Sequence, residues 1–129
     1  MIEGACHCGA ARWRFERIPE TATGCNCTLC RRYGALWAYG WEGEEIHLSG
    51  PTRFYRRGTA IDFHFCETCA CILWWRTPEP GADGRRWIAV NLRLAEPQDV
   101  AEIPLKHFDG LETYKDLGQD GRRVKDLWF

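Results

Sequence analysis

The sequence predicts a mostly-β domain made of short strands with only brief helical turns. Three observations support this fold class: apolar residues alternate with polar ones over short runs, Gly- and Pro-containing turn signals separate those runs, and helical periodicity is nearly absent. A chain of 129 residues is long enough to bury its own core. We therefore expect one domain over residues 1–129.

Four segments have the pattern of strands. Apolar side chains alternate with charged or polar ones in residues 11–15 and 61–65, as expected for strands with one buried face. Residues 72–75 and 87–92 are compact, largely apolar runs, which indicate more deeply buried strands.

Turn signals lie between these runs, and helical signals are weak. Gly50-Pro51 and Arg57-Gly58 mark turns, and residues 78–84, rich in Pro, Gly and Asp, predict a hairpin-type loop. A helix of one or two turns is predicted over residues 28–33, ending near Gly34, with another short piece between Pro97 and Ile103.

The C-terminal segment, residues 106–129, is charged but also carries large apolar side chains. These predict that the segment packs on the body of the protein and is not disordered. The apolar residues are Phe108, Leu111, Tyr114, Leu117, Leu127, Trp128 and Phe129.

Composition and charge indicate which binding partners and which cellular compartment to expect. Hydrophobic residues make up 45% and charged residues 27%, and the formal net charge is -1, so we expect neither a nucleic acid nor a membrane surface as partner. The start shows no signal-peptide pattern, and the longest apolar run, near residues 72–75, is too short to span a bilayer. We expect a cytoplasmic protein, whose eight cysteines are thiols or metal thiolates.

Seven of the cysteines fall into groups with the spacing of metal ligands. Cys6 and Cys8 form one close pair, and Cys66 and Cys69 form another after a predicted strand. Zinc takes four ligands in a tetrahedron, and two tight turns that each supply two thiols make a closed site. We predict that these four cysteines hold a structural zinc ion.

The middle group, Cys25, Cys27 and Cys30, has one thiol fewer than a closed site needs. Three protein ligands with an open fourth position are typical of catalytic zinc. Two alternatives are less favoured. A disulfide framework conflicts with the predicted compartment, and a thioredoxin-type pair of Cys27 and Cys30 leaves Cys25 without a role.

With these residues in place, the chain resembles the glutathione-dependent formaldehyde-activating enzyme family, also called the GFA or centromere-protein-V family. The order and spacing of seven cysteines make the match specific. The matching segments are GACHCGAARWRFE, CNCTLCRRYGA, FHFCETCACIL and, at residues 91–97, NLRLAEP. Three positions depart from the family pattern: Asn26 replaces a usual His, Ala70 replaces a usual Gly, and Cys71 is an additional thiol.

The resemblance implies a single GFA-like zinc-binding domain with an antiparallel β-tent fold. It also implies two Zn²⁺ ions. The structural zinc would be held by Cys6, Cys8, Cys66 and Cys69, and the second zinc by Cys25, Cys27 and Cys30.

For function, the resemblance implies a carbon–sulfur lyase related to S-hydroxymethylglutathione synthase. A small thiol of the glutathione type would occupy the open zinc position and add to, or be released from, an aldehyde such as formaldehyde. Metal-bound thiols are deprotonated and remain nucleophilic, which suits this chemistry. Arg31 and Arg32 could contact substrate carboxylates or offset the charge of the thiolates, or could be solvated helix residues.

The alternative function is a non-catalytic two-zinc scaffold or binding module, in which Cys71 is the fourth ligand of the second zinc and closes its site. Cys71 could equally be a small apolar core residue. The second site could also be only partly occupied, because an open site holds metal less firmly than a closed one. Trp37, Tyr39 and Trp41 alternate and could line a pocket or, more in keeping with a strand, a core face.

Overall fold

The computed structural model describes residues 1–128, and strands dominate that part of the chain. The prediction of a mostly-β fold is confirmed. The strands are β1 (Ile2–Ala5), β2 (Arg12–Phe15), β3 (Ala22–Cys25), β4 (Trp37–Trp41), β5 (Ile46–Ser49), β6 (Thr52–Arg57), β7 (Ile61–Cys66), β8 (Ile72–Arg76), β9 (Trp87–Asn91), β10 (Leu105–Asp109) and β11 (Lys115–Gly118). The helices are α1 (Cys30–Tyr33), α2 (Pro97–Val100) and α3 (Lys125–Trp128), and Leu92–Leu94 form a 3-10 turn.

The strands form a small sheet and a large one. The small sheet has the order β1-β2-β5, and the large sheet has the order β11-β10-β3-β4-β9-β8-β7-β6. Neighbouring strands in the described residues are antiparallel except β3 and β10, which are parallel. A parallel pair needs a long connection, and here the connection includes most of the large sheet. The expected antiparallel architecture therefore holds with this one exception.

The main core lies between the two sheets. In β2, Trp13 and Phe15 are buried while Arg12 and Arg14 are exposed, as the period-two alternation predicts. These aromatic rings belong to one apolar cluster with residues from the facing side of the large sheet, among them Leu73, Ile88 and Val90.

A second apolar cluster contains alternate residues of the large sheet. It includes Trp37 of β4, Phe63 of β7 and Ala89 of β9, and it also contains Cys27 and Cys30. The three-cysteine segment is therefore anchored on an apolar surface of the large sheet, separate from the core cluster between the sheets.

The elements predicted from sequence are found close to their expected positions. The four predicted strands correspond to β2, β7, β8 and β9. The predicted first helix is the single turn α1, and Gly34 ends it in the left-handed conformation with a φ of 64°. The second is α2, which begins at Pro97.

The prediction for the C-terminal segment is only partly correct. β10 lies within the large sheet and Val124 is fully buried. Four of the apolar side chains expected to pack are instead exposed, because this segment forms surface turns, the edge strand β11 and the short helix α3: Leu111, Tyr114, Leu117 and Leu127. The expectations for Phe129 and for the side chain of Trp128 lie outside the described residues.

Within the described part of the chain, no helix has both the length and the apolar character needed to cross a membrane.

Candidate metal centres

The first group of thiols comes together from two turns far apart in sequence. Cys6 and Cys8 lie on the turn after β1, Cys66 ends β7, and Cys69 lies on the turn before β8. Their four sulfur atoms are all within 4.8 Å of one another. The Sγ atoms of Cys6 and Cys8 are 3.6 Å apart, as are those of Cys8 and Cys66.

These distances fit a tetrahedral metal site. A tetrahedron with metal–sulfur bonds of about 2.3 Å has sulfur–sulfur edges of about 3.8 Å. The turns also direct backbone N–H groups at the sulfurs: Ala11 donates to Cys6 over 3.3 Å and Thr68 to Cys66 over 3.4 Å. Such donors stabilise thiolates, so the four residues suit a metal ion that prefers sulfur.

Backbone geometry at the second turn shows why glycine would suit position 70, where this chain has alanine. Ala70 has a φ of 64°, in the left-handed region, and its N–H donates to the carbonyl of Cys66 over 2.9 Å. Glycine adopts this conformation without strain, and alanine does so at a cost. The turn therefore adopts this conformation although position 70 is alanine.

Cys71 lies beside this first cluster. Its carbonyl accepts a hydrogen bond from the N–H of Cys66 over 3.0 Å, which fixes it across the turn from Cys66. The N–H of His7 lowers the pKa of the Cys71 thiol. Burial and the Cys69 thiol outweigh this effect and raise that pKa above its ordinary value. Its thiol is not among those gathered at the middle cluster. The structure thus gives no support to Cys71 as the fourth ligand of the second site.

The middle cluster is formed by a single local segment. Cys25 ends β3, Cys27 lies in the following loop, and Cys30 begins α1. Their sulfur atoms lie within 4.8 Å of one another, and Cys27 and Cys30 are buried. In the described residues, no His, Asp, Glu or fourth Cys joins this group. The result is three converging thiols, as the sequence predicts.

Three N–H donors point at two of these sulfurs. The backbone N–H of Cys30 and Nη1 of Arg57 donate to Cys27 Sγ over 3.2 Å and 3.1 Å, and Trp37 Nε1 donates to Cys30 Sγ over 3.4 Å. Burial raises the pKa of Cys27, but hydrogen bonds with the backbone N–H and the thiol of Cys30 and with Arg57 outweigh it and lower that pKa to about 7. Burial is the main cause that raises the pKa of Cys30. The Cys27 thiol is therefore easier to ionise than an ordinary cysteine thiol.

Residues of the C-terminal segment clamp the loop that carries these thiols. β10 pairs with β3 so that Phe108 lies opposite Cys25. Nδ2 of Asn26 donates to Oδ1 of Asp109 over 3.1 Å, and the N–H of Leu111 donates to Oδ1 of Asn26 over 3.1 Å. Asn26, the second departure from the family pattern, thus serves here as a bridge between two chain segments.

Asp109 is the centre of this clamp. Its nearly buried carboxylate accepts N–H groups from Leu111, Glu112 and Thr113 at 3.1 Å each, and the Thr113 hydroxyl at 2.8 Å. The hydroxyl and N–H of Thr113 are the main groups that hold the pKa of Asp109 well below its usual range. The carboxylate is therefore ionised at neutral pH and fixes the turn over the middle cluster.

The two arginines predicted at the site differ in their surroundings. Both are exposed. Nη1 of Arg32 donates to the carbonyl of Thr28 over 2.6 Å, which holds its side chain against the cysteine loop. For Arg31, no side-chain hydrogen bond or ion pair is found in the described residues, so nothing fixes its guanidinium near the thiols.

Sequence reasoning missed three residues from distant segments: Arg57, which donates to Cys27, Asp109, which accepts from Asn26, and Gly110, which lies against the Cys25 sulfur. The alternation of Trp37, Tyr39 and Trp41 did signal a strand. Trp37 is buried in the apolar cluster with the thiols, as expected for a core face, while Tyr39 and Trp41 are half-buried and pack on other rings.

The fold and the two sites define a mostly-β protein with two cysteine clusters suited to holding metal ions. The chain belongs to the family described as glutathione-dependent formaldehyde-activating enzyme, whose model matches residues 1–102. A relative from Halomonas elongata, named "Putative glutathione-dependent formaldehyde-activating enzyme", is 31% identical over a gapped alignment of 143 positions, which covers 100% of this chain and 87% of the relative.

A solved structure supports the same fold. The crystal structure of a Rhodobacter sphaeroides protein matches with a TM-score of 0.60 and 26% sequence identity, covering 81% of this chain and 99% of that one.

Proposed function

We propose that this protein is a zinc-dependent enzyme that adds a small thiol of the glutathione type to an aldehyde such as formaldehyde, or reverses that addition. Its class would be carbon–sulfur lyase. The observation that carries the proposal is the middle cluster of three thiols, which no fourth Cys, His, Asp or Glu joins in the described residues. The family name and the name of the Halomonas elongata relative both refer to glutathione and formaldehyde.

Both clusters fit zinc by the chemistry of their donors, because thiolates are soft ligands that zinc accepts in tetrahedral sites. Cys6, Cys8, Cys66 and Cys69 would hold one ion in a closed, structural site. Cys25, Cys27 and Cys30 would hold the second. Both sites need reduced thiols, and all eight cysteines are free, which supports a reducing, cytoplasmic setting as part of the proposal.

A zinc ion bound at the middle cluster would supply a fourth position at which a substrate thiol is held as its thiolate. Addition forms a sulfur–carbon bond, converts the aldehyde carbonyl to a single C–O bond, and places on the former carbonyl oxygen a proton equivalent to the one that the thiol lost on binding. The product is an S-hydroxymethyl thioether when the aldehyde is formaldehyde.

The chain's own residues prepare this site. Three thiolates and Zn²⁺ carry a formal charge of -1, and the guanidinium of Arg57, bonded to Cys27, offsets it. Trp37 fixes the position of Cys30 through its N–H, and its buried ring helps exclude water from that side of the cluster. Arg32, held at the cysteine loop, could contact a substrate carboxylate.

The alternative of a non-catalytic scaffold required the second site to be closed by Cys71. We favour the enzyme over that alternative, because Cys71 lies beside the first cluster.

The test is an exchange measurement, because thiols and formaldehyde also combine spontaneously. With glutathione and ¹³C-formaldehyde at equilibrium, we expect zinc-loaded protein to accelerate exchange between free and S-hydroxymethyl species in NMR exchange spectra. Cys27→Ser should abolish the acceleration, and Cys71→Ser should keep it. Exchange equal to that of buffer, in protein shown to hold two zinc ions, would overturn the proposal.

A further inference from the structure

A small cavity of about 270 Å³ opens on the surface next to the middle cluster. It lies between the cysteine loop and β6, and two of its five lining residues are arginines. The lining residues are Thr28, Leu29, Arg32, Tyr55 and Arg57. Thr28 and Leu29 lie between Cys27 and Cys30 in sequence, so the cavity adjoins the thiols directly.

Neither arginine of the cavity has a carboxylate partner in the part of the chain that the structure describes. Other arginines of the same protein do: Arg56 pairs with Asp62, and Arg85 pairs with Glu44. Two guanidinium groups therefore border one cavity without a carboxylate between them. The Cys27 sulfur partly balances the charge of Arg57, whereas in the described residues no anionic side chain pairs with Arg32.

Both guanidinium groups are nevertheless fixed in place. Arg57 donates through Nη1 to Cys27 Sγ over 3.1 Å and through Nη2 to Thr28 Oγ1 over 3.3 Å, and Arg32 donates through Nη1 to the carbonyl of Thr28 over 2.6 Å. Each guanidinium has five N–H donors, so these bonds leave donors for a ligand. Fixed guanidiniums recognise carboxylates well, because less freedom is lost on binding.

We propose that Arg32 and Arg57 form an anion subsite that binds a carboxylate of the substrate, so that the protein selects thiols carrying a carboxylate over neutral thiols. This inference rests on the proposed function, because the sulfur of the same molecule would point to the cluster of Cys25, Cys27 and Cys30. Arg57 contacts both the cluster and the cavity, so the carboxylate and the sulfur of the substrate would be a short distance apart. Arg57 thus takes the place that the sequence had suggested for Arg31.

The test compares two thiols that differ only in charge: 3-mercaptopropionate and its methyl ester. Their dissociation constants for zinc-loaded protein are measured by isothermal titration calorimetry, with zinc content determined before and after. We expect the acid to bind roughly tenfold more tightly than the ester, as for one charge-assisted pair at a partly exposed site.

Substitution of either cavity arginine should remove this preference. Arg32→Gln and Arg57→Gln should each bring the two dissociation constants to within about threefold of each other, and Arg57→Lys should keep part of the preference. Arg53→Gln is the matched control, because Arg53 is an exposed arginine of the same strand that does not line the cavity. If Arg57→Gln loses zinc, the result for Arg32→Gln tests the anion subsite, because Arg32 donates to a carbonyl and not to a cluster sulfur.

The outcomes separate this inference from the proposed function. Equal binding of acid and ester by the unmodified protein would overturn the anion subsite and leave the thiol site standing. An acid preference that survives both Gln substitutions would also overturn it. Absence of binding by either thiol to protein with two zinc ions would overturn the subsite and the proposed function together.

Discussion

Gly110 lies directly against the thiol of Cys25. A Cβ atom placed on Gly110 would be 2.6 Å from Cys25 Sγ, closer than non-bonded atoms approach, and 3.0 Å from Cys27 Cβ, a very tight contact. Gly110 also lies beyond residues 1–102, the part of the chain that the family model matches. The C-terminal segment thus forms one wall of the middle cluster, and any side chain at position 110 would displace the Cys25 thiol.

This contact predicts that Gly110→Ala disrupts the middle cluster selectively. The nearest atom is a thiol, so the easiest relief is rotation of Cys25 away from the other two sulfurs. We expect zinc content, measured by plasma emission spectrometry, to fall from about two ions per chain to about one.

Gly24→Ala is the control for this prediction. Gly24 precedes Cys25 in the same strand, and a Cβ there would meet nothing within 4 Å. Its zinc content should be unchanged. If Gly110→Ala also retains two zinc ions, the wall formed by the C-terminal segment does not control the cluster.

A second prediction distinguishes the role of Cys66, a member of the first cluster, from that of Cys71, which lies beside the cluster. Cys66→Ser should remove one zinc ion and lower the free energy of unfolding by on the order of several kcal/mol, because metal binding there ties the turn after β1 to the turn after β7. Cys71→Ser should retain both ions. Urea unfolding and zinc analysis of the two variants provide the measurement, and similar losses in both would show that Cys71 is a ligand.

A third prediction concerns the hydrogen bond from Trp37 to Cys30. Trp37→Phe removes the N–H that donates to the sulfur, so the middle cluster should bind zinc roughly tenfold more weakly, as for other groups that support metal ligands. Competition with a chromophoric chelator measures this affinity.

Trp74→Phe is the matched control for this third prediction, because it removes the same ring atoms from a buried indole. Trp74 is also buried, but its Nε1 has no hydrogen-bond partner in the described residues. We expect both variants to lose stability, by about 1–3 kcal/mol. Only Trp37→Phe should weaken zinc binding. Equal zinc affinity in the two variants would mean that the Trp37 hydrogen bond does not support the site.

Local patterns explain how much of this structure could be predicted from the sequence. The alternation in β2 and β7 and the cysteine spacings are short-range features, and they correctly indicated the strands and the two groups of thiols. The position of Cys71 was harder to predict, because it depends on a hydrogen bond across a turn, from the N–H of Cys66 to the carbonyl of Cys71.

Long-range contacts could not be predicted in the same way. Arg57 reaches Cys27 across 30 residues, and Asp109 reaches Asn26 across 83. Both contacts depend on strand order in the large sheet. The contact of Asp109 with Asn26 depends on the parallel pairing of β10 with β3, and no local pattern in a single sequence encodes that pairing. The departure at Asn26 was visible in the sequence, but its partner was not.

The last prediction is a pH dependence of stability that arises from His64. The ring of His64 is buried between Phe54 and Trp74, its Nδ1 is 2.9 Å from Thr52 Oγ1, and its Nε2 has no partner in the described residues. Burial is the main cause that lowers the pKa of His64 to about 4. The unfolded chain takes up this proton near pH 6.5, but the folded chain takes it up only near its lower pKa.

The contribution of neutral His64 to stability is therefore complete above about pH 6.5 and is lost as the pH falls toward 4. His64→Phe, which keeps a ring of similar size, should lose less stability than the unmodified protein between pH 7 and pH 5. Urea midpoints at several pH values measure both slopes, and comparing the two proteins cancels the loss of metal that acid causes in each. Parallel slopes would show that His64 is protonated equally in the folded and unfolded chains.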